Sequence, residues 1–336
     1  MVEPLIPLQG IPGSVLFLAT VGTFAGIFAL LALGLNIHFG YTGLLNFGHV
    51  AFFAVGAYTA ALLTMPAPGA AQQSVPYTIG LGLPMPLGFP VSLLFAATAG
   101  GILAAVIGLT SIRLKTHYLA IATFALAQLF HSVLVNERWL TRGTNGLNEI
   151  PKPGYVEILA PDVWLVGYFL LVAGFVAGTY LFVEHLVDAP FGRLLRGIRE
   201  DETAARALGK RTDRLKLISF VLGGAITGLA GGLYAHYLGS ISPSQFLPIV
   251  TFLVWVMVII GGTASNIGVI SGAVLLVGFR ELTGSLPAIP GYPLLIEELR
   301  WAIIGLALIV LMRVRPEGLL GDPHEITFTE EGQTNE

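Results

Sequence analysis

The chain has 336 residues and a formal net charge of −3, and only 11% of it is Asp, Glu, Lys or Arg. Soluble domains carry about 25% charged residues. With 54% hydrophobic residues and a mean hydropathy of +0.80, this composition excludes a soluble globular, disordered or collagen-like protein and leaves a polytopic membrane protein. Glycine supplies 42 residues, well above the usual level of about 7%. The small net charge gives no ground for nucleic-acid binding. There is no cysteine, so disulfides, thiol catalysis, thiolate metal sites and S-palmitoylation are excluded.

The N-terminus shows neither a positive n-region nor a cleavage site, so no signal peptide is expected. Residues 14–36 carry no charge and are long enough to cross about 30 Å of hydrocarbon. A polar, glycine-marked break follows at His38, Gly40, Tyr41, Thr42, Gly43 and Asn46. Further apolar segments run at 47–66, 90–112, 116–136, 162–185, 217–239, 248–264, 267–285 and 297–313. That makes nine spans, and a broken helix within 37–56 would hide a tenth. Backbone groups in lipid must be satisfied internally, and the segments do not alternate as barrel strands do. The expected fold class is therefore all-α, a polytopic transmembrane helical bundle of 9–10 spans. Residues 1–336 form one transmembrane domain, with a polar C-terminal tail at 317–336.

Basic residues set the orientation. Eight of the 17 Lys and Arg lie between Arg193 and Lys216, so the loop 186–216 and the C-terminus are expected on the cytoplasmic side. A tight turn at Arg113 and Lys115 falls on the same side, and 66–90 and 137–161 face outward. The side of the N-terminus depends on whether a tenth span exists.

Glycines repeat every four residues at Gly224, Gly228 and Gly232, at Gly268 and Gly272, and at Gly174 and Gly178. Such stripes let helix backbones approach closely in lipid. They predict helix packing, with no chemistry.

The loop Asp188–Lys216 reads as structured. Leu194, Leu195 and Ile198 lie on one side of a short amphipathic helix, and Arg193, Arg196 and Arg199 on the other. Asp201 is placed to N-cap a second short helix, with Glu202 in its first turn. Ala204, Ala205 and Leu208 form its apolar face, and Gly209 stops it. Asp213 is placed to cap the next membrane helix. One reading is an interfacial helix resting on anionic lipid. The other is a docking helix for a cytoplasmic partner. The interleaved acids Glu200, Asp201, Glu202 and Asp213 and the small alanines favour the second.

No span carries a charged residue at its centre, and Glu184, Arg280, Glu281, Glu297 and Glu298 lie near ends. An ion-coupled carrier would usually need a membrane-embedded acid. The uncharged lumen suits a neutral or zwitterionic solute. Polar candidates for its pathway are Asn36, Tyr41, Asn46, His49, Thr123 and Gln128, with Asn145 in a second, outer break. Each could equally hydrogen-bond helix to helix. His49, His117, His131 and His236 show no metal-ligand spacing. The segments 43–58 and 261–278 resemble each other, each with an Asn, then a Gly, then a small residue. With nine spans two such copies would share one orientation. No HExxH, GxSxG or GxxxxGK[ST] motif is present, so neither a protease-type enzyme nor an ATPase is encoded.

Several stretches in order resemble the permease subunit of branched-chain amino acid ABC importers, specifically the second of their two permease types. They are GLNIHFGYTGLLNFGHVAFFAVGAYTAALL (34–63), THYLAIATFALAQLF (116–130), TRGTNGL (141–147), PFGRLLRGIREDETAARALGKRTDRLKLISFVLGGAITGLAGGLYAHY (190–237) and VMVIIGGTASNIGVISGAVLL (256–276). The chain departs from the usual pattern at His38 and Phe39. The resemblance implies an ABC importer permease in the cell membrane, not itself an enzyme. It would pair with a second related permease, two ATPase subunits that carry ATP and Mg, and an extracytoplasmic substrate-binding protein. No cofactor is expected on this chain. The segment Arg199–Gly209 (Arg199, Glu200, Asp201, Glu202, Ala204, Ala205, Leu208, Gly209) matches the family's ATPase-coupling region. The implied cargo is leucine, isoleucine or valine. Urea and short-chain amide importers use closely similar permeases, and a stand-alone carrier or channel is the remaining alternative.

Overall fold

A computed structural model describes residues 11–66, 80–85, 87–111, 114, 116–154, 161–284, 295–315 and 317–321. Each of the nine apolar segments becomes a helix. They are α1 (Gly13–Asn36), α2 (His49–Thr64), α3 (Gly88–Ser111), α4 (Thr116–Asn136), α6 (Pro161–Asp188), α9 (Thr212–Leu238), α10 (Ile249–Gly261), α11 (Asn266–Gly284) and α12 (Leu295–Val314). The short helices α5 (Arg138–Thr141), α7 (Pro190–Glu200) and α8 (Glu202–Ala207) lie between them. Among the described residues, six helices are long and apolar enough to cross a membrane: α1, α3, α4, α6, α9 and α11. The shorter α10 has 13 residues, a length of about 20 Å at 1.5 Å per residue, so it cannot cross the hydrocarbon alone.

α9 is the axis of the bundle. Glycine lets its neighbours come close: a Cβ at Gly228 would sit 3.0 Å from Gly100 Cα of α3, and one at Gly56 of α2 would sit 2.6 Å from Gly228 Cα. Gly232 is covered by Leu93, Ala96 and Ala60, Gly224 by Ala104, and Gly268 and Gly272 pack on Gly261 of α10. These five glycines therefore lie at close helix–helix approaches. Gly174 and Gly178 do not, because no heavy atom of the described residues lies within 4 Å of where their Cβ atoms would be. They lie on an outer face of α6, where four-residue spacing brings no partner.

Contacts along α9 give each helix its direction. Phe24 packs on Tyr237 at 5.2 Å and His38 stacks on Phe220 at 4.6 Å, so α1 runs antiparallel to α9. It starts at the end opposite the loop 186–216. His49 meets Thr227, and Gly231 lies against Phe53 and Ala57, so α2 runs parallel to α9. No tenth helix lies between α1 and α2. Instead α1 ends in a π-helical turn (Ile37–Tyr41), and residues 42–48 return without regular structure into the bundle. α2 starts inside the bundle, where His49 meets Thr227, and α11 starts beside Asn36 at the end of α1.

At the opposite end, Leu147 bridges Ile241, and Ile150 donates its N–H to the Gly239 carbonyl at 2.9 Å. Residues 81–83 pair back onto the last turn of α2. At the end that carries the loop 186–216, Leu319 and Leu320 donate to the carbonyls of Ile260 and Gly261, so residues 317–321 fold onto α10. The turn at Arg113 and Lys115, and residues 322–336 of the tail, lie outside the described residues.

Candidate functional site

Pro190 occupies the first turn of α7, where its missing N–H costs nothing. Leu195 and Ile198 are buried and Leu194 is half-buried, but of the three arginines only Arg193 is exposed, while Arg196 and Arg199 are half-buried and turn inward. Asp201 caps α8 as expected: its carboxylate accepts the N–H groups of Thr203 and Ala204 at 2.8 and 2.9 Å. Gly209 has φ +75°, a left-handed stop that a side chain would strain. Asp213 is not a cap. α9 begins one residue earlier, at Thr212, so Asp213 lies inside the first turn and accepts from Arg206 at 2.9 Å instead.

Nothing in α8 is buried. Ala205 is half-buried, Ala204 is exposed and Leu208 is 78% exposed. Yet the helix is firmly tied to α9. Arg206 pairs with Glu202 at 2.8 Å and with Asp213, and donates from Nε to Thr212 at 2.8 Å. Lys216, only 10% exposed, pairs with Glu202. Burial works against the Glu202 carboxylate, but Lys216, Thr212 and Arg206 outweigh it and hold it below its ordinary value. Glu200 extends from α7 into solvent.

Behind α8, α7 grips the break after α1. Arg199 donates to the Gly40 carbonyl, and the Arg196 guanidinium stands 5.6 Å from the Tyr41 ring centroid. Gly43 has φ +74°, and a Cβ there would be 3.6 Å from Arg199 Cα. A polar cavity of about 410 Å³ lies at this junction, between Thr42, His117, Arg199, Glu202 and Lys216.

Deeper in, the break is organised around Asn46. Because a carbonyl only accepts, His38 donates from Nε2 to Phe220 O at 2.9 Å, and His49 donates from Nε2 to Leu31 O at 2.9 Å. Both Nδ1 atoms are then acceptors. The Asn46 amide nitrogen reaches them at 3.1 and 3.5 Å, and its Oδ1 accepts the Gly48 N–H at 2.9 Å. One amide thus satisfies two neutral imidazoles and a turn. The Asn46 carbonyl accepts from Trp255 at 3.1 Å, and Thr123 accepts the Phe47 N–H at 3.0 Å. Asn36 ties the other side: it donates to Asn266 at 3.1 Å and accepts the Ala264 N–H at 2.9 Å, while Asn266 donates to Glu184 at 2.7 Å.

The structure therefore brings Asn36, Asn46, His49 and Thr123 together at the break, with Tyr41 at its mouth. It does not bring Gln128 or Asn145 there. Gln128 lies on the outer face of α4, and Asn145 is exposed at the opposite end. Sequence inspection missed His38, Thr227, Thr251, Trp255 and Asn266. Only the unusual His38, and Asn266 as the Asn of the 261–278 segment, carried a signal. No cluster of metal-binding side chains occurs among the described residues.

A polytopic helical bundle whose central break is gripped by a charged loop is the build of a membrane transport permease. The family model for the branched-chain amino acid transport system permease component matches residues 17–312, and the chain belongs to that family. It is 32% identical to the high-affinity branched-chain amino acid transport system permease protein LivM of Escherichia coli K12, over 89% of this chain and 69% of that one. A probable LivM of Methanocaldococcus jannaschii is 28% identical over 90% and 92%. The Escherichia coli LivH permease is 24% identical over 90% and 93%. No solved structure matches the chain.

Proposed function

We propose that this chain is the LivM-type permease subunit of an ATP-driven importer of leucine, isoleucine and valine in the cell membrane. Its 336 residues act as one permease domain. It pairs with a second, related permease, and two ATPase subunits bearing ATP and Mg seat on the loop 186–216. A binding protein delivers the solute at the opposite end. The loop and the C-terminal segment are cytoplasmic, in keeping with the eight basic residues at 193–216.

One observation carries the coupling role: α8 exposes its apolar tip and is nonetheless locked to α9 by ion pairs. A free tip on a rigid mount transmits displacement. Movement of the ATPases passes to α9 through Glu202–Lys216 and Arg206–Asp213. It passes to the end of α1 through Arg199 and Arg196. The break at 37–48 then shifts between two arrangements, opening and closing the pathway beside Asn36, Tyr41, Asn46, His49 and Thr123. Gln128 and Asn145 would meet the solute only on the outer face of α4 and at the entry side.

The test is Leu208→Asp in the assembled importer. Burying the Leu208 side chain in a partner groove is worth about 1.5–3 kcal/mol, so its loss weakens docking about tenfold or more. Stimulated ATPase activity and leucine uptake should fall together while the permease still inserts and pairs. Gly209→Val should act the same way. Normal stimulation in both variants would sink the assignment.

A further inference from the structure

The charges that the spans keep at their ends are not scattered in space. Arg280 and Glu281 of α11 and Glu297 and Arg300 of α12 line one cavity of about 370 Å³. It lies between α1, α10, α11 and α12, beside Tyr234 near the end of α9 that is opposite the coupling loop. Its inner wall is apolar: Phe28, Leu253, Met257, Leu276 and Ile304. The volume falls within the range of about 300–1,000 Å³ typical of small-molecule sites.

Three features point to a ligand rather than to solvated helix ends. The rim holds two cations and two anions, a neutral total that suits a zwitterion better than an ion. No ion pair joins these four groups to one another among the described residues, so their charges are left to act on what enters. The Nε of Arg300 is buried without a hydrogen-bond partner among the described residues. A buried donor left unsatisfied costs about 1–3 kcal/mol, which a carboxylate in the cavity would remove.

We infer that this cavity is an entry-side binding site for the aliphatic amino acid itself. Its carboxylate is held by Arg300 and Arg280, its ammonium by Glu297 and Glu281, and its side chain rests against Phe28, Met257 and Leu276. The inference rests on the chain being a branched-chain amino acid permease, and it adds a site to that function.

The absence of cysteine supplies the assay. Ser244, exposed at the cavity edge, becomes the chain's single thiol as Ser244→Cys in an assembled complex whose other subunits are cysteine-free. L-Leucine should slow its alkylation by a maleimide. Isoamylamine and isocaproate, each lacking one charged group, should not. Arg300→Gln should raise the half-protecting leucine concentration about tenfold or more, the cost of a lost charged hydrogen bond. Glu297→Gln serves the same purpose if that variant fails to assemble. Equal protection by the singly charged analogues, or none by leucine, would overturn the site. Uptake of leucine by the unmodified complex tests the transport assignment separately. Uptake without protection removes the cavity site alone, while absent uptake removes the assignment.

Discussion

Glu202→Gln is the most informative single perturbation of the loop 186–216. α8 has six residues and no buried side chain, so its own helical propensity cannot hold it. The Asp201 cap and the ion pairs of Glu202 and Arg206 do. The Arg206 pairs are half-exposed, at 54% for Arg206 and 32% for Glu202. Exposed pairs are worth about 0.2–1 kcal/mol each. Lys216 is largely buried, and neutralising Glu202 leaves its ammonium without its carboxylate, which raises the cost. Together the loss comes to about 1–2 kcal/mol, or a factor of about 5–30 in the local opening equilibrium. Amide hydrogen exchange of the importer complex reads it directly: residues 203–208 should exchange faster by that factor. Glu200→Gln, on an exposed acid of α7, is the control and should change exchange less than twofold. If Glu202→Gln also leaves α8 exchange within twofold of the parent, the ties carry no load and the proposed path of force through α9 is wrong.

The same pair sets a pH dependence. The folded-state pKa of Glu202 is depressed, so its contribution is complete above the ordinary Glu value of about 4.3. It disappears as pH falls through the lower folded value, and α8 exchange, corrected for intrinsic rate, should rise only in that acidic window. Gly228→Ala should destabilise the purified permease by about 1–3 kcal/mol through overpacking, while Gly174→Ala should be neutral; denaturant titration in detergent separates them. Asn46→Ala strands two imidazole acceptors and the Gly48 N–H, so stability should fall by about 1–3 kcal/mol or more. A lowered midpoint with unchanged leucine KM assigns Asn46 to structure, whereas an altered KM at unchanged stability assigns it to the pathway.

The elements of the fold were legible because membrane helices announce themselves locally. All nine apolar segments, the Asp201 cap and the left-handed Gly209 follow from residues adjacent in sequence. The break at 37–48 was legible as a break, since glycines and polar residues interrupt an apolar run. Its content was not. His38 looked like a departure from pattern, and its partners Phe220 and Asn46 are specified by packing. Asp213 was misplaced because the start of a helix depends on which neighbour claims a carboxylate, and here Arg206 claims it. The Gly174–Gly178 stripe shows the converse limit: with the same spacing as Gly224–Gly228, it meets no heavy atom of the described residues within 4 Å.

Composition and order along the chain by themselves determined membrane residence, the helical class, the positions of the apolar helices and the place of the charged loop 186–216. Each rests on hydrophobic transfer, backbone hydrogen bonding or a cap, which act over a few residues. Only the tertiary structure decided that Asn36 meets Asn266 across 230 residues of sequence, and that one amide at Asn46 serves two histidines. It alone brought four end-of-helix charges to one cavity. Those contacts depend on helix direction, rotation and depth, and an apolar segment encodes none of these until its neighbours are in place.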